Sequence, residues 1–248
     1  MSGLLSAARQ ADGSCYHAAM AEPKIDVVIP VLGCPAVLGE TLAALGEARS
    51  AGLLGEVLLI SGDGDAGLAA RFGGEARVLA AAPGRGQQLA AGAAASGAPW
   101  LLFLHADTRL GSGWAAEAAD FIADPGNAER AAAFRLAFDA THLAARVVAA
   151  VANWRSRRLG LPYGDQGLLI SRAFYERLGG FRPLVIMEDV ELMRRIGRRR
   201  LRLLETPAVT SSARYQRDGW WLRPLRNLSI LALYFLGVPP ETLRRLYG

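Results

Sequence analysis

Cysteine is nearly missing from the 248-residue chain, which has only Cys15 and Cys34. That excludes a disulfide framework and any ligand cluster with zinc spacing, and makes a reducing cytoplasm the simplest setting. Lysine is scarcer still, Lys24 being the only one. Nor is there an apolar run long enough to span a bilayer: the greasiest stretch, residues 222–238, is broken by Arg223, Pro224, Arg226 and Asn227. Residues 1–22 lack the basic start and continuous apolar core of a secretory signal and read as a flexible N-terminal extension.

What is present suits one large α/β domain over residues 23–248, with 52% hydrophobic and 21% charged residues. A net charge of +5 and a pI near 9.7 point to an acidic partner: a nucleotide diphosphate, an anionic membrane surface or nucleic acid. Nucleic acid is disfavoured, because the arginines lack the aromatic interleaving of single-strand platforms and no DNA-reading motif occurs. The arginine runs at Arg155, Arg157 and Arg158 and at 194–202 read first as solvated faces. With Trp220 and Trp221 in a basic tail, they also allow peripheral contact with anionic lipid at the inner membrane face.

Short β-branched or leucine-rich runs at 25–31, 56–61, 76–81 and 100–106 alternate with helix-length segments such as 36–48 and 87–95, predicting a largely parallel sheet built from βαβ units. Ligands collect at the C-terminal ends of such strands. After Asp107 the order changes to a helix near 115–123, a strand at 131–138, a helix at 143–157 and the loop Gly160–Gly167. The two parts, 23–108 and 109–248, read as halves of one domain, nucleotide-binding and acceptor-binding, with a helical C-terminal tail.

The run from Trp100 to Thr108 ends in His105 and Asp107, two apart and so expected on one strand face at the active edge. One Asp together with a bound diphosphate is a sensible partial shell for Mg2+ or Mn2+; the competing reading has Asp107 capping the next helix. A phosphatase nucleophile loop is disfavoured, since His105 stands where the nucleophilic carboxylate belongs. Glu188, Asp189 and Glu191 cluster at a helix start, where free N–H groups and the dipole favour negative charge, as a proton-accepting carboxylate requires. Three acids decorating a first turn is the duller alternative. Arg85, beside Gln88 at another helix start, is placed to meet phosphate with its guanidinium fork and nearby N–H groups.

Together these segments resemble the family 2 glycosyltransferases of GT-A fold, and the motif order carries the likeness from about Lys24 to Tyr247. The segments are Val28-Ile-Pro-Val31, Glu56–Asp63, Gly84-Arg-Gly-Gln-Gln88, Leu104-His-Ala-Asp-Thr108, Gly164-Asp-Gln-Gly167 and Met187–Leu192. The strings Leu-His-Ala-Asp-Thr and Tyr-Gly-Asp-Gln-Gly are closest to a bacterial subgroup associated with selenium or arsenic loci. The resemblance implies a nucleotide-diphosphate sugar donor and inverting transfer to an acceptor hydroxyl. It makes Pro30, Val31 and Gly33 the first wall of the nucleotide site and Asp107 the last acid of the metal motif. Asp189 is then the general base, with Glu188 beside it. Gly164, Asp165 and Gln166 fall on the acceptor side, and 210–217 resembles the flexible closing loop, with Arg214 and Tyr215 over the diphosphate. Two positions depart from the family pattern: Ser61 replaces the Asp that meets the uracil ring, leaving Asp63 to substitute, and His105 replaces the first acid of Asp-x-Asp. A catalytically silent nucleotide-binding homologue is the alternative that these departures leave open.

Overall fold

The computed structural model describes residues 25–64 and 66–247, so the expected N-terminal extension and Cys15 lie outside the described residues. The first half runs β1 (Ile25–Val31), α1 (Leu38–Ala44), α2 (Gly46–Ser50), β2 (Leu54–Ser61), α3 (Ala66–Phe72), β3 (Arg77–Ala80), α4 (Arg85–Ala95) and β4 (Trp100–Phe103). The second half runs β5 (Thr108–Leu110), α5 (Trp114–Ala123), β6 (Ala131–Phe138), α6 (Leu143–Leu159), β7 (Leu168–Ser171), α7 (Arg172–Arg177), α8 (Glu188–Ile196), β8 (Leu201–Thr210), α9 (Ala213–Asp218), α10 (Leu222–Phe235) and α11 (Pro240–Tyr247).

All eight strands form one sheet in the order β3-β2-β1-β4-β7-β6-β8-β5. The strands β3, β2, β1 and β4 pair in parallel, as βαβ crossovers require. β7 is antiparallel to both β4 and β6, while β8 runs parallel to β6 and antiparallel to β5. The two halves therefore share a single sheet joined at the β4–β7 seam. Helices cover both faces, and each face has its own apolar layer: one centred on Ile29, Leu59, Trp114 and Phe121, the other on Val28, Ile60, Phe174 and Leu192.

β1 is buried almost throughout, which suits a central parallel strand, yet it carries Asp26. That buried carboxylate accepts from Ser96 Oγ at 2.6 Å, from the Gly97 and Ala98 amides at 3.1 Å and from the Glu56 amide at 2.7 Å. Four donors offset its desolvation and tie β1 to the starts of β2 and β4. α4 lies directly on β1 and β2 because Gly92 has no side chain: a Cβ there would overlap Val28 Cγ1.

Two boundaries differ from expectation. The helix expected at 36–48 is two pieces meeting at Leu45. The strand expected to reach Ala106 stops at Phe103, because the Thr108 amide bonds back to the His105 carbonyl at 3.2 Å and closes a turn. Thr41 Oγ1 holds that turn from outside through the Ala106 carbonyl, at 3.0 Å.

Gln88 is buried, and its Nε2 donates to the carbonyls of Val31 at 2.8 Å and Ile60 at 2.6 Å, stitching together the C-terminal ends of β1 and β2. Gln88→Leu leaves both carbonyls without these donors and should lower unfolding stability by roughly 2–4 kcal/mol. Urea denaturation followed by far-UV circular dichroism measures this, and a loss below about 0.5 kcal/mol would remove the stitch from the account.

Candidate active site

Where β4 ends, the turn from His105 to Thr108 replaces the expected strand face. It brings His105 Nδ1 to 4.0 Å from Asp107 Oδ1. Burial, reinforced by Arg85 and Arg214, holds the His105 imidazole well below its ordinary pKa, so it is neutral. Its Nε2 is buried without a hydrogen-bond partner, against Gly164, where a Cβ would overlap it. Asp107 precedes β5 and not a helix, which removes the capping alternative.

Because β7 runs antiparallel to β4, with Phe103 opposite Leu168, the 3-10 turn Gly164–Gln166 that precedes β7 arrives at the same sheet edge. The Gly164 amide donates to Asp189 Oδ2 at 2.9 Å, and the other Asp189 oxygen accepts from the Val190 amide at 2.7 Å. Asp189 lies in the first turn of α8, entered through Met187, whose φ of 68° makes it the one non-glycine with left-handed backbone among the described residues. Glu188 is buried, 3.4 Å from the Arg85 guanidinium; burial and then Asp189 push its carboxyl up, with Arg85 opposing. The third acid, Glu191, does other work. It accepts from Arg195 Nε at 2.9 Å and pairs with Arg182 at 3.2 Å, while Arg195 reaches the Leu178 and Gly180 carbonyls, clamping α8 to the preceding turn.

Asp107 and Asp189 line one cleft of about 600 Å3, with His105, Arg85, Glu188, Gly164, Asp165 and Arg214. Four arginines border it, Arg85, Arg214, Arg223 and Arg244, opposite four carboxylates. Asp165 Oδ1 is buried without a hydrogen-bond partner, and burial lifts its carboxyl to about 6, with Asp189 and Asp107 adding and Arg155 opposing. Beside it, the Arg155 guanidinium lies 3.4 Å over the Tyr163 ring, and burial raises that phenol to about 12.

The other expected residues fall outside the cleft lining. Gln88 serves the backbone as described, and Gln166, fully buried, bonds Ser156 Oγ at 2.7 Å and the Phe134 carbonyl at 2.9 Å, so neither amide faces a ligand. Gly33, Ser61 and Asp63 come together apart from it: Asp63 accepts from the Gly33 amide and from Ser61 Oγ, both at 2.8 Å. Pro30 and Val31 sit at the end of β1, and the Val31 side chain belongs to the core. The tract expected as a flexible loop forms α9, with Tyr215 packed on Trp220 at 5.1 Å and Phe138 at 4.8 Å; Arg214 alone keeps an exposed position at the cleft. Sequence reasoning missed Tyr163, Arg223, Asn227, Arg244 and Tyr247 in the lining. For Arg223 and Asn227 the signal was two polar residues four apart inside a leucine-rich helix.

Among the described residues no three His, Cys, Asp or Glu side chains gather as a metal cluster. Asp107 and the neutral His105 nitrogen offer two donors, which fits a hard divalent cation only when ligand oxygens complete its shell.

At the level of sequence, no protein-family model and no curated protein matches the chain. Solved structures do. The mannosyltransferase PcManGT from Pyrobaculum calidifontis, in complex with GDP-Man and Mn2+, superposes with a TM-score of 0.60 at 16% identity, covering 92% of this chain and 68% of that one. S. aureus TarS 1–349 gives 0.56 at 12% identity, covering 90% and 69%. GalNAc-T7 with UDP, GalNAc and Mn2+ gives 0.58 at 15% identity over 77% of this chain. This chain covers only 44% of the GalNAc-T7 chain. The fold is thereby that of the GT-A glycosyltransferases.

Asp165 titrates near 6 when folded, against an ordinary value of 3.8. The native state thus binds its proton more tightly, and the group opposes folding increasingly as pH rises from about 4 to about 6, fully above that. Asp165→Asn should therefore stabilise the protein by roughly 1–3 kcal/mol at pH 7.5 and by almost nothing at pH 4. Thermal melts of the two proteins across that range provide the check, and an equal difference at both ends would refute the assignment.

Proposed function

We propose that the chain is an inverting family 2 glycosyltransferase that moves a sugar from a nucleotide-diphosphate donor to an acceptor hydroxyl. The assignment is carried by one observation, the single cleft lined by both Asp107 and Asp189. The solved neighbours add context, two of them holding UDP or GDP-Man with Mn2+. The Leu-His-Ala-Asp-Thr and Tyr-Gly-Asp-Gln-Gly strings keep the selenium/arsenic-locus subgroup as the nearest likeness.

In this scheme the donor diphosphate lies between Arg85 and Arg214, whose forked N–H groups pair with its oxygens. Asp107 and His105 hold a divalent cation with those same oxygens; when bound, the ion supplies charge neutralisation for the departing diphosphate. The acceptor enters along Gly164 and Asp165. Asp189 accepts the acceptor's hydroxyl proton as its oxygen bonds to the anomeric carbon and the carbon–oxygen bond to the diphosphate breaks on the opposite side. The two amides on Asp189 fix the carboxylate's direction, and Glu188 sets Arg85. The cleft is open, so Arg214 on α9 is the side chain placed to cover a bound donor.

Two outcomes test this. Asp189→Asn should keep donor affinity within about twofold and lower turnover by about 10²–10⁴, read on a donor and acceptor panel with a melt to confirm folding; near wild-type transfer would sink the base. In thermal-shift measurements UDP or GDP should raise the melting temperature more with Mn2+ than without, Mn2+ alone having little effect, because the protein's two donors need the diphosphate. Asp107→Ala should erase the Mn2+ increment, and an undiminished increment in that variant would remove Asp107 from the ion.

A further inference from the structure

Two helices each leave one apolar side without a protein partner. On α10 the inward residues recur at helical spacing: Arg223 and Asn227 line the cleft, and Ile230 and Leu231 are buried. Its opposite side, with the residue before it, presents Trp221, Leu222, Leu225, Leu228, Phe235 and Leu236, between 49 and 80% exposed. On α6 the sheet side is Ala145, Val148, Ala152 and Ser156, whereas Leu143, Val147, Val151 and Trp154, spaced four, four and three, face outward. The stripes begin at one point, since the Trp220 ring lies 4.5 Å from His142 and 5.2 Å from Phe138. An apolar surface of that extent, continuous across two helices, marks an interaction site.

Charge selects the partner. α6 carries four arginines and no acid, and residues 213–247 carry six arginines against Asp218 and Glu241. Arg155 and Arg223 are engaged internally, by Tyr163 and Asp218. Arg146, Arg158 and Arg245 are exposed, with Arg158 continuing the α6 stripe four residues beyond Trp154. A second copy meeting this face across a two-fold axis would set the same arginine surplus against itself. An anionic lipid surface neutralises it. Among the described residues no helix is long and apolar enough to cross a membrane. Two apolar stripes rimmed by arginine and opened by tryptophan instead match helices that lie in the plane of the interface.

We propose that α6 and α10 dock this protein in plane on an anionic bilayer surface, Trp221, Leu225, Phe235 and Trp154 entering the headgroup layer and the flanking arginines meeting lipid phosphates. The full-length protein should co-sediment with vesicles of equal parts phosphatidylcholine and phosphatidylglycerol, far less with phosphatidylcholine alone, and less as salt rises. Leu225→Glu and Trp154→Glu, both at exposed positions, should each lower the bound fraction about tenfold without moving the melting temperature. Failure to sediment, or variants that sediment like wild type, would overturn the proposal. So would a dimer in light scattering that Leu225→Glu dissociates, which would give the face to a second copy. Neither donor nor acceptor enters the assay, so its failure is separate from any failure of sugar transfer.

Discussion

The backbone of Gly164 joins the two ends of the cleft. Its amide holds the Asp189 carboxylate at 2.9 Å, and its Cα presses on the buried nitrogen of His105, the residue that stands beside Asp107. No side chain can intervene, because a Cβ at 164 would overlap the imidazole. One amide plane therefore sets the distance between the carboxylate at the end of β4 and the carboxylate at the start of α8. It can do so only because β7 runs antiparallel to β4, which returns residues 164–166 to the edge where the parallel strands end. A parallel β7 would deliver that turn to the far side of the sheet.

Around this joint the cleft gathers charge at some expense in stability. Glu188 is buried against a single arginine, Asp165 is lifted to about 6, and the His105 nitrogen lacks a hydrogen-bond partner. Each would be better solvated in the unfolded chain. Asp26, equally buried but with four donors, shows how the same fold treats a carboxylate kept for structure. The contrast separates acids held for architecture from acids left able to respond to a ligand.

Much of the frame was legible in the chain itself. The strand at 131–138 stands where its alanine-rich apolar run predicts, and the alternation of the first hundred residues yields the parallel strands. The acids at 107 and 189 reach one cleft, although 82 positions of chain separate them. What periodicity could not convey was the i to i+3 bond that ends β4 early, or which glutamines face inward: Gln88 and Gln166 look like ligand-reaching polar residues until their amides are seen satisfying strand carbonyls. The C-terminal contributions from Arg244 and Tyr247 were hidden for a different reason. They depend on how α10 and α11 fold back across the cleft, a long-range packing outcome with no local signature.

Met187 introduces the helix that bears the base through a backbone conformation that costs a non-glycine residue about 1–2 kcal/mol. No side chain caps that helix; instead the Met187 side chain is buried in the apolar layer with Phe181, Val190 and Met193. Hydrophobic packing, and not hydrogen bonding, is thus what pins the entry to α8. Repacking that oily layer, with every polar group left untouched, would swing the carboxylates, so the specificity of this cleft is written partly in residues that no ligand ever meets.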